Sequence, residues 1–348
     1  MDKASFSKES TVEKLSKIAH VVDFMVYLIR TISEHLDKLC ENLESLPGAF
    51  TTLYAAELID DVMDSINGSA GLITKILPSK KICDKNKYRK FWLLHSALIF
   101  YHYDAWMLLR HSLLSAFIGY YSAAFTELRS AMESIVRGMV FDLLAIPQYR
   151  REAIELQKIK GFKNTVGFPE LLEVFEGKLD NKRPSASIEI FDIIDEELKK
   201  FNPEASFIKL LKQLKVWRII DEDLFRETNA YYAELSKHAH RLHPRFSEVG
   251  SRVMADKDWI ELEPVPEELF TYLYSFIEFN GLLTYLVLRV FSIDLMCEEY
   301  RDCIDWKALE EDIQKASKLA RNYKTWERTK DLLEKLRALA CQASETNP

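Results

Sequence analysis

Most of this chain is written as long runs with apolar residues three and four positions apart, and few glycines or prolines fall within them. Nothing else in the sequence restricts the fold as strongly, because that spacing puts the apolar side chains on one face of an α-helix and on both faces of a strand. The 348 residues hold only ten glycines and ten prolines, and most prolines fall between the runs. Sandwiches, barrels and glycine-rich nucleotide loops need more of both. The pattern predicts an all-α fold, a multi-helix bundle with long central helices and long N- and C-terminal helices.

Read along the chain, the periodicity predicts helices over Phe6–Leu46 and Ala49–Ile66, then a basic connection, "PSKKICDKNKYRK", with six basic residues and one acid. Two very apolar helices follow, Lys87–Leu114 and Ala116–Ile146. The second carries a stripe of Phe117, Tyr121, Phe125, Leu128, Met132, Ile135, Met139 and Leu143 beside a ridge of Gly119, Ala123, Ser130, Ser134 and Gly138. A helix with both packs on more than one side. Residues 148–220 hold shorter helices, and Asp221 caps a helix that Pro244 ends near His243. After the short extended stretch "WIELEPVP" come a Glu267–Met296 helix and a charged amphipathic helix, Trp306–Cys341. The expected organisation is an N-terminal helical region (1–84), a helical core (85–300) and a C-terminal amphipathic helix (301–348) within one folded unit.

Charge and cysteine usage set further expectations. A formal charge of -7 argues against a general nucleic-acid coat, leaving local basic patches open. Five scattered cysteines, Cys40, Cys83, Cys297, Cys303 and Cys341, show no CxxC spacing, so ordinary thiols in a reducing cytoplasm are expected. "MDKASFSKES" lacks the basic and apolar regions of a secretion signal. The most apolar stretch, from Leu269 to Met296, carries Glu278, Asn280, Arg289 and Asp294, a costly load for a membrane span. A core helix and no membrane partner are expected. GxxxxGK[ST], GxGxxG and GxSxG are all absent, which removes the usual P-loop, Rossmann and hydrolase signatures and leaves no cofactor implied.

The stretch "ETNAYYAELSKHAHRLHPRF" holds three histidines, His238, His240 and His243. On its helix Leu224, Thr228, Tyr231, Leu235, Ala239 and Leu242 form the expected core face. Tyr232, Ser236 and His240 form a polar shoulder; Glu234, His238 and Arg241 flank the other side, and Lys237 points away. The three histidines therefore do not share a face. Only His240 and His243 have a helical ligand spacing, and the chain has no HExxH and no ExxH pair, so no metal is expected. A second shoulder exists on the central helix, where Arg129 and Glu133 are four apart. Facing helices would bring Arg129, Glu133, Ser236 and His240 into one cluster, either a catalytic pocket, for which Tyr232 is a further candidate, or a structural lock between core helices. Lys237, Arg241, Arg245 and Arg252 form a candidate phosphate-binding edge. Tyr101, Tyr103, Trp106, Tyr120 and Tyr121 are expected in the core.

The pairing of "LRSAMES" on one helix with "YAELSKHAH" on a later one resembles HEPN-like all-helical proteins of bacteria and archaea, some linked to abortive infection. The resemblance covers residues 87–300. It implies RNA cleavage or nucleotide binding, in which an Arg four to six residues before a His supplies the chemistry, with a groove formed between two copies. The helix of His240 and His243 has no such Arg; the spacing occurs at Arg30–His35 and Arg89–His95, the latter beside the basic connection. Imidazole would move the proton and guanidinium would stabilise the phosphate charge. On so apolar a helix His95 is expected in the core.

Three readings follow. The first is a helical scaffold or regulatory protein acting through protein–protein contacts, as a homo-oligomer. The second is a HEPN-like RNA-cleaving or nucleotide-binding protein, with a role in anti-phage defence. The third is a metal-dependent enzyme using His240 and His243.

Overall fold

The computed structural model describes residues 50–117, 119–146, 149, 203–239, 266–297 and 299–345. Among them it is all-α, with nine helices, one 3-10 turn and no strand. The helices are α1 (Phe50–Ile76), α2 (Lys85–Leu94), α3 (Ser96–Phe117), α4 (Tyr121–Ala145), α5 (Pro203–Val216), α6 (Glu222–Ala239), α7 (Pro266–Leu295), α8 (Trp306–Leu319) and α9 (Lys324–Glu345). The Phe6–Leu46 helix with its Arg30–His35 pair, Cys40, His240, His243 and the "WIELEPVP" stretch as far as Val265 lie outside the described residues.

Helix α4 is central because it is buried along one face throughout and on every side over residues 138–144. Leu128, Ala131, Met132, Ile135, Val136, Met139 and Leu143 are completely buried, and α3, α5, α6 and α7 all pack on it. Of the small-residue ridge, Gly138 makes the close approach. A Cβ there would lie 2.9 Å from the Tyr101 Cβ and 3.1 Å from the Leu98 Cα, so α3 crosses α4 where side chains would hold them apart. Ala123, by contrast, faces solvent.

The second layer forms around α7, whose Glu278, Asn280 and Arg289 bind inside the protein. Asn280 donates to the Ser65 carbonyl, the Ser65 hydroxyl and the Ser69 hydroxyl on α1. Arg289 donates to the Ile219 carbonyl. Glu278 accepts from the backbone N–H groups of Lys324 and Thr325 (3.1 and 3.0 Å) and from the Thr325 hydroxyl, so a side chain of α7 caps the start of α9. Residues Leu269–Leu295 are long and apolar enough to cross a membrane, and most of that stretch is buried against other helices.

Three expectations need correction. Helix α1 runs on to Ile76 through Gly68 and Gly71. Gly71 is required there by close packing, since a Cβ would fall 2.3 Å from the Asp312 carboxylate, which Lys75 holds at 2.6 Å. The expected Lys87–Leu114 helix is two helices that meet at His95, and Trp306–Cys341 is likewise α8 and α9, joined by residues 320–323. In both breaks a buried polar anchor overrides an unbroken periodicity: the His95 ring at the first, and at the second the Tyr323 hydroxyl on Asp61 together with the Glu278 cap. Helix α8 then packs on α1 and α9 on α7, with α8 and α9 in mutual contact.

The cysteines are the third correction. Cys83 and Cys303 form a disulfide, Cα–Cα 4.5 Å across a separation of 220 residues. It ties the α1–α2 connection to the 3-10 turn Arg301–Cys303, where Ser79 N–H also donates to the Cys303 carbonyl at 3.1 Å. Scattered spacing hid the pairing because the two partners meet only in the folded chain. Cys297 is exposed and outside the disulfide, its thiol donating to the Ile293 carbonyl at 3.3 Å.

Candidate functional site

Helix α6 meets α4 with Leu224, Thr228, Tyr232 and Leu235 buried, while Tyr231 is half-buried. The buried face is thus rotated toward Tyr232, which was expected on the shoulder. Its ring stacks on Phe207 of α5 (centroids 3.8 Å apart), and that packing carries the hydroxyl to α4. There the Tyr232 hydroxyl donates to Glu133 Oε1 at 2.8 Å and accepts from Arg129 at 3.0 Å, while Arg129 Nε donates to the same Glu133 oxygen at 3.2 Å. The expected meeting of the two shoulders therefore occurs for Arg129, Glu133 and Tyr232.

Burial, then Glu133, raises the Tyr232 phenol above its ordinary value, with Arg129 pulling the other way. The phenol stays protonated at neutral pH and bridges the pair as a neutral group. Tyr232 is only 5% exposed, and the Arg129 and Glu133 side chains are 13% and 24% exposed, so the trio sits at the rim of the interface with its phenol sealed beneath.

The remaining candidates separate from it. Ser236 donates to the Tyr232 carbonyl of its own helix at 2.8 Å, the ordinary satisfaction of a helical serine, and does not reach the trio. Lys237 pairs with Glu234 in solvent. His240, Arg241, Arg245 and Arg252 lie outside the described residues. His238, expected on the solvent side, has its side chain largely covered and stacks on Phe125 of α4 with centroids 4.0 Å apart. Of the five aromatics expected in the core, Tyr101 and Tyr121 are buried and Trp106 is half-buried, but Tyr103 and Tyr120 are exposed.

The most polarised group is His95. Its ring is completely buried, with Nδ1 2.9 Å from Asp142 of α4 and Nε2 3.0 Å from Asp294 of α7. The second Asp142 oxygen accepts the Leu98 backbone N–H at 2.9 Å. Two carboxylates on two ring nitrogens require both nitrogens to donate, which is the imidazolium. Burial is the largest single influence and opposes the charge, but Asp142 and Asp294 together outweigh it and raise the pKa to about 9. The core position expected for His95 is observed. Arg89 instead points outward, lining an open cavity of about 310 Å³ with Asn86, Lys90, Leu93 and Leu94. The Arg89–His95 spacing thus sets a surface guanidinium and a sealed imidazolium with no free nitrogen, and cannot act as an acid–base pair on a bound phosphate.

The signal for this triad was in the sequence, as Asp142 and Asp294 in two very apolar helices. A buried carboxylate requires a cation or several donors, and of the histidines on or beside α3 it is His95, at the α2–α3 junction, that reaches both. Among the described residues no three His, Cys, Asp or Glu side chains converge to hold a metal ion; the triad cannot do so, because its carboxylates bind opposite ends of one ring. A second cavity, about 390 Å³ between α8 and α9, is lined by groups of both signs, including Glu310, Lys318, Arg321, Glu334 and Arg337.

Comparison of the chain with protein-family models, with curated proteins and with solved structures finds no match in any of the three.

Proposed function

We propose that the protein is a helical scaffold or regulatory protein that acts through protein–protein contacts, including contacts between copies of itself. The observation that carries this reading is the closure of Arg129, Glu133 and Tyr232 upon one another: the phenol uses its donor on Glu133 and its acceptor on Arg129, and Arg129 also holds Glu133. Groups paired in this way fix the register of α4 against α5 and α6 and leave the phenol no proton to trade with a substrate. The exposed Phe100 (58%) and Tyr103 (62%) on α3 supply rigid aromatic surface of the kind that anchors protein contacts.

The test has two arms. Purified protein incubated with single-stranded and structured RNA leaves it intact, and Arg129→Met lowers the melting temperature. RNA cleavage by the parent that Arg129→Met abolishes at unchanged melting temperature would replace this reading with the HEPN-like one. For self-association, sedimentation of the parent yields a species larger than one chain, which Phe100→Ser/Tyr103→Ser shifts toward the monomer.

A cytoplasmic location belongs to the same proposal, and the Cys83–Cys303 bond tests it. Such bridges persist in oxidising compartments and are rare in the cytosol. Differential alkylation of protein from acid-quenched cells finds the pair reduced in part if the location is cytosolic; a fully oxidised pair assigns the protein to an oxidising compartment.

A further inference from the structure

The corner of the molecule between α1 and α2 carries a charge opposite to that of the whole. Within the segment Ser79–Lys90, Lys80, Lys81, Lys85, Lys87, Arg89 and Lys90 are accompanied by one acid, Asp84, in a chain of formal charge -7. All six except Lys87 are exposed, and Lys87 is half-exposed. Asp84 offsets one of these six charges, its carboxylate accepting the Asn86 and Lys87 N–H groups as the cap of α2. Lys90 is paired with Glu299 and Lys80 lies over the Tyr88 ring. The side chains of Lys81, Lys85 and Arg89 make no hydrogen bond or ion pair with any described residue.

At the tip of this corner sits Ile82, 48% exposed between Lys81 and Cys83. It is held there. The Ile82 and Cys83 N–H groups both donate to the Ser79 carbonyl (3.1 and 2.8 Å), Ser79 N–H donates to the Cys303 carbonyl, and Cys83 is bonded to Cys303. Neighbouring Pro78 and Cys83 are buried while Ile82 is not, so the turn presents an exposed aliphatic side chain in a stretch that also exposes Lys80, Lys81 and Lys85.

We propose that the Ser79–Lys90 segment is a docking surface for an anionic lipid bilayer. Lysines attract any polyanion, but an aliphatic group fixed among them gains nothing against a phosphodiester backbone. An anionic bilayer takes both, the ammonium groups at the headgroup phosphates and the aliphatic chain at the acyl boundary. Five of the six cations are lysines, point charges suited to a diffuse array of headgroups; nucleic-acid reading favours the arginine fork. The negative remainder of the chain orients the molecule with this corner toward the surface. This contact lies on the membrane face and involves no spanning helix, so the expectation of no membrane partner, which rested on spanning, does not govern it.

Flotation of the full chain with vesicles of phosphatidylcholine, alone or with added phosphatidylserine, tests the proposal. Binding is expected only to the serine-containing vesicles, weakening as salt is raised. Lys80→Gln/Lys81→Gln/Lys85→Gln weakens it on the order of a hundredfold, and Ile82→Ser weakens it roughly tenfold. All four side chains are exposed, so thermal melts of the variants match the parent. Absence of serine-dependent flotation overturns the proposal. Flotation that Ile82→Ser leaves unchanged, and that a single-stranded oligonucleotide abolishes, also overturns it and assigns the corner to nucleic acid.

Discussion

His95 shows how a single side chain ties three helices. Its ring links the start of α3 to α4 through Asp142 and to α7 through Asp294, and Phe91 and Phe291 pack on the ring at 4.3 and 5.1 Å. Folding raises its pKa from 6.5 to about 9. A raised value means the folded state binds the proton more tightly, so the stabilisation is complete below pH 6.5 and disappears as pH climbs through 9. The size of the shift corresponds to about 3 kcal/mol. Urea unfolding of parent and His95→Gln from pH 6 to 10 should show the parent losing that advantage, with the two curves converging at the alkaline end. A parent curve parallel to that of the variant would refute the imidazolium. At the rim of α4, Tyr232→Phe removes only the hydroxyl shared by Arg129 and Glu133, and should cost about 1–2 kcal/mol in the same measurement. The residue types of this trio were legible in advance, since four-residue spacing set Arg129 beside Glu133. The place of Ser236 was not legible: a serine within a helix has its own carbonyl ladder as a competing acceptor, and that local bond won.

At the scale of elements, periodicity located the helices but not their breaks. The apolar pattern runs unbroken through His95 and through residues 320–323, and helix propensity alone would carry it on. What stops α8 from merging with α9 is distant: Glu278 of α7 takes the first amides of α9, and Trp326 Nε1–H donates to the Ile277 carbonyl. Gly281 permits this approach, because a Cβ there would fall 2.5 Å from the Thr325 hydroxyl. Glu278→Ala should lower stability by about 1–2 kcal/mol, the cost of a lost cap, and raise amide exchange in the first turn of α9 before any other segment. Gly71→Ala places a methyl into the Asp312 carboxylate that Lys75 holds, and a loss of about 1–3 kcal/mol is expected in thermal unfolding. Neither glycine reads as special in sequence, since each sits in the middle of a helix with no turn signal around it.

Across the whole molecule, the Cys83–Cys303 bond closes a covalent loop of 220 residues and joins the two connections that flank the core. Cross-linking residues 220 apart restricts the unfolded chain strongly, and reduction should lower stability by about 2–5 kcal/mol. Thiol titration in denaturant without reductant should find two fewer reactive groups than the five cysteines. Cys83→Ser and Cys303→Ser should match each other and their double variant. The sequence by itself determined the fold class, the central place of α4 and α7 and the exposure of the basic corner, because each follows from local periodicity and charge along one stretch of chain. Only the tertiary structure decided that His95 is shared between two carboxylates, that Tyr232 rather than Tyr231 enters the core, and that Cys83 meets Cys303. Each of these depends on the rotation and depth of one helix against another, which packing of many side chains sets and which no single stretch of sequence carries.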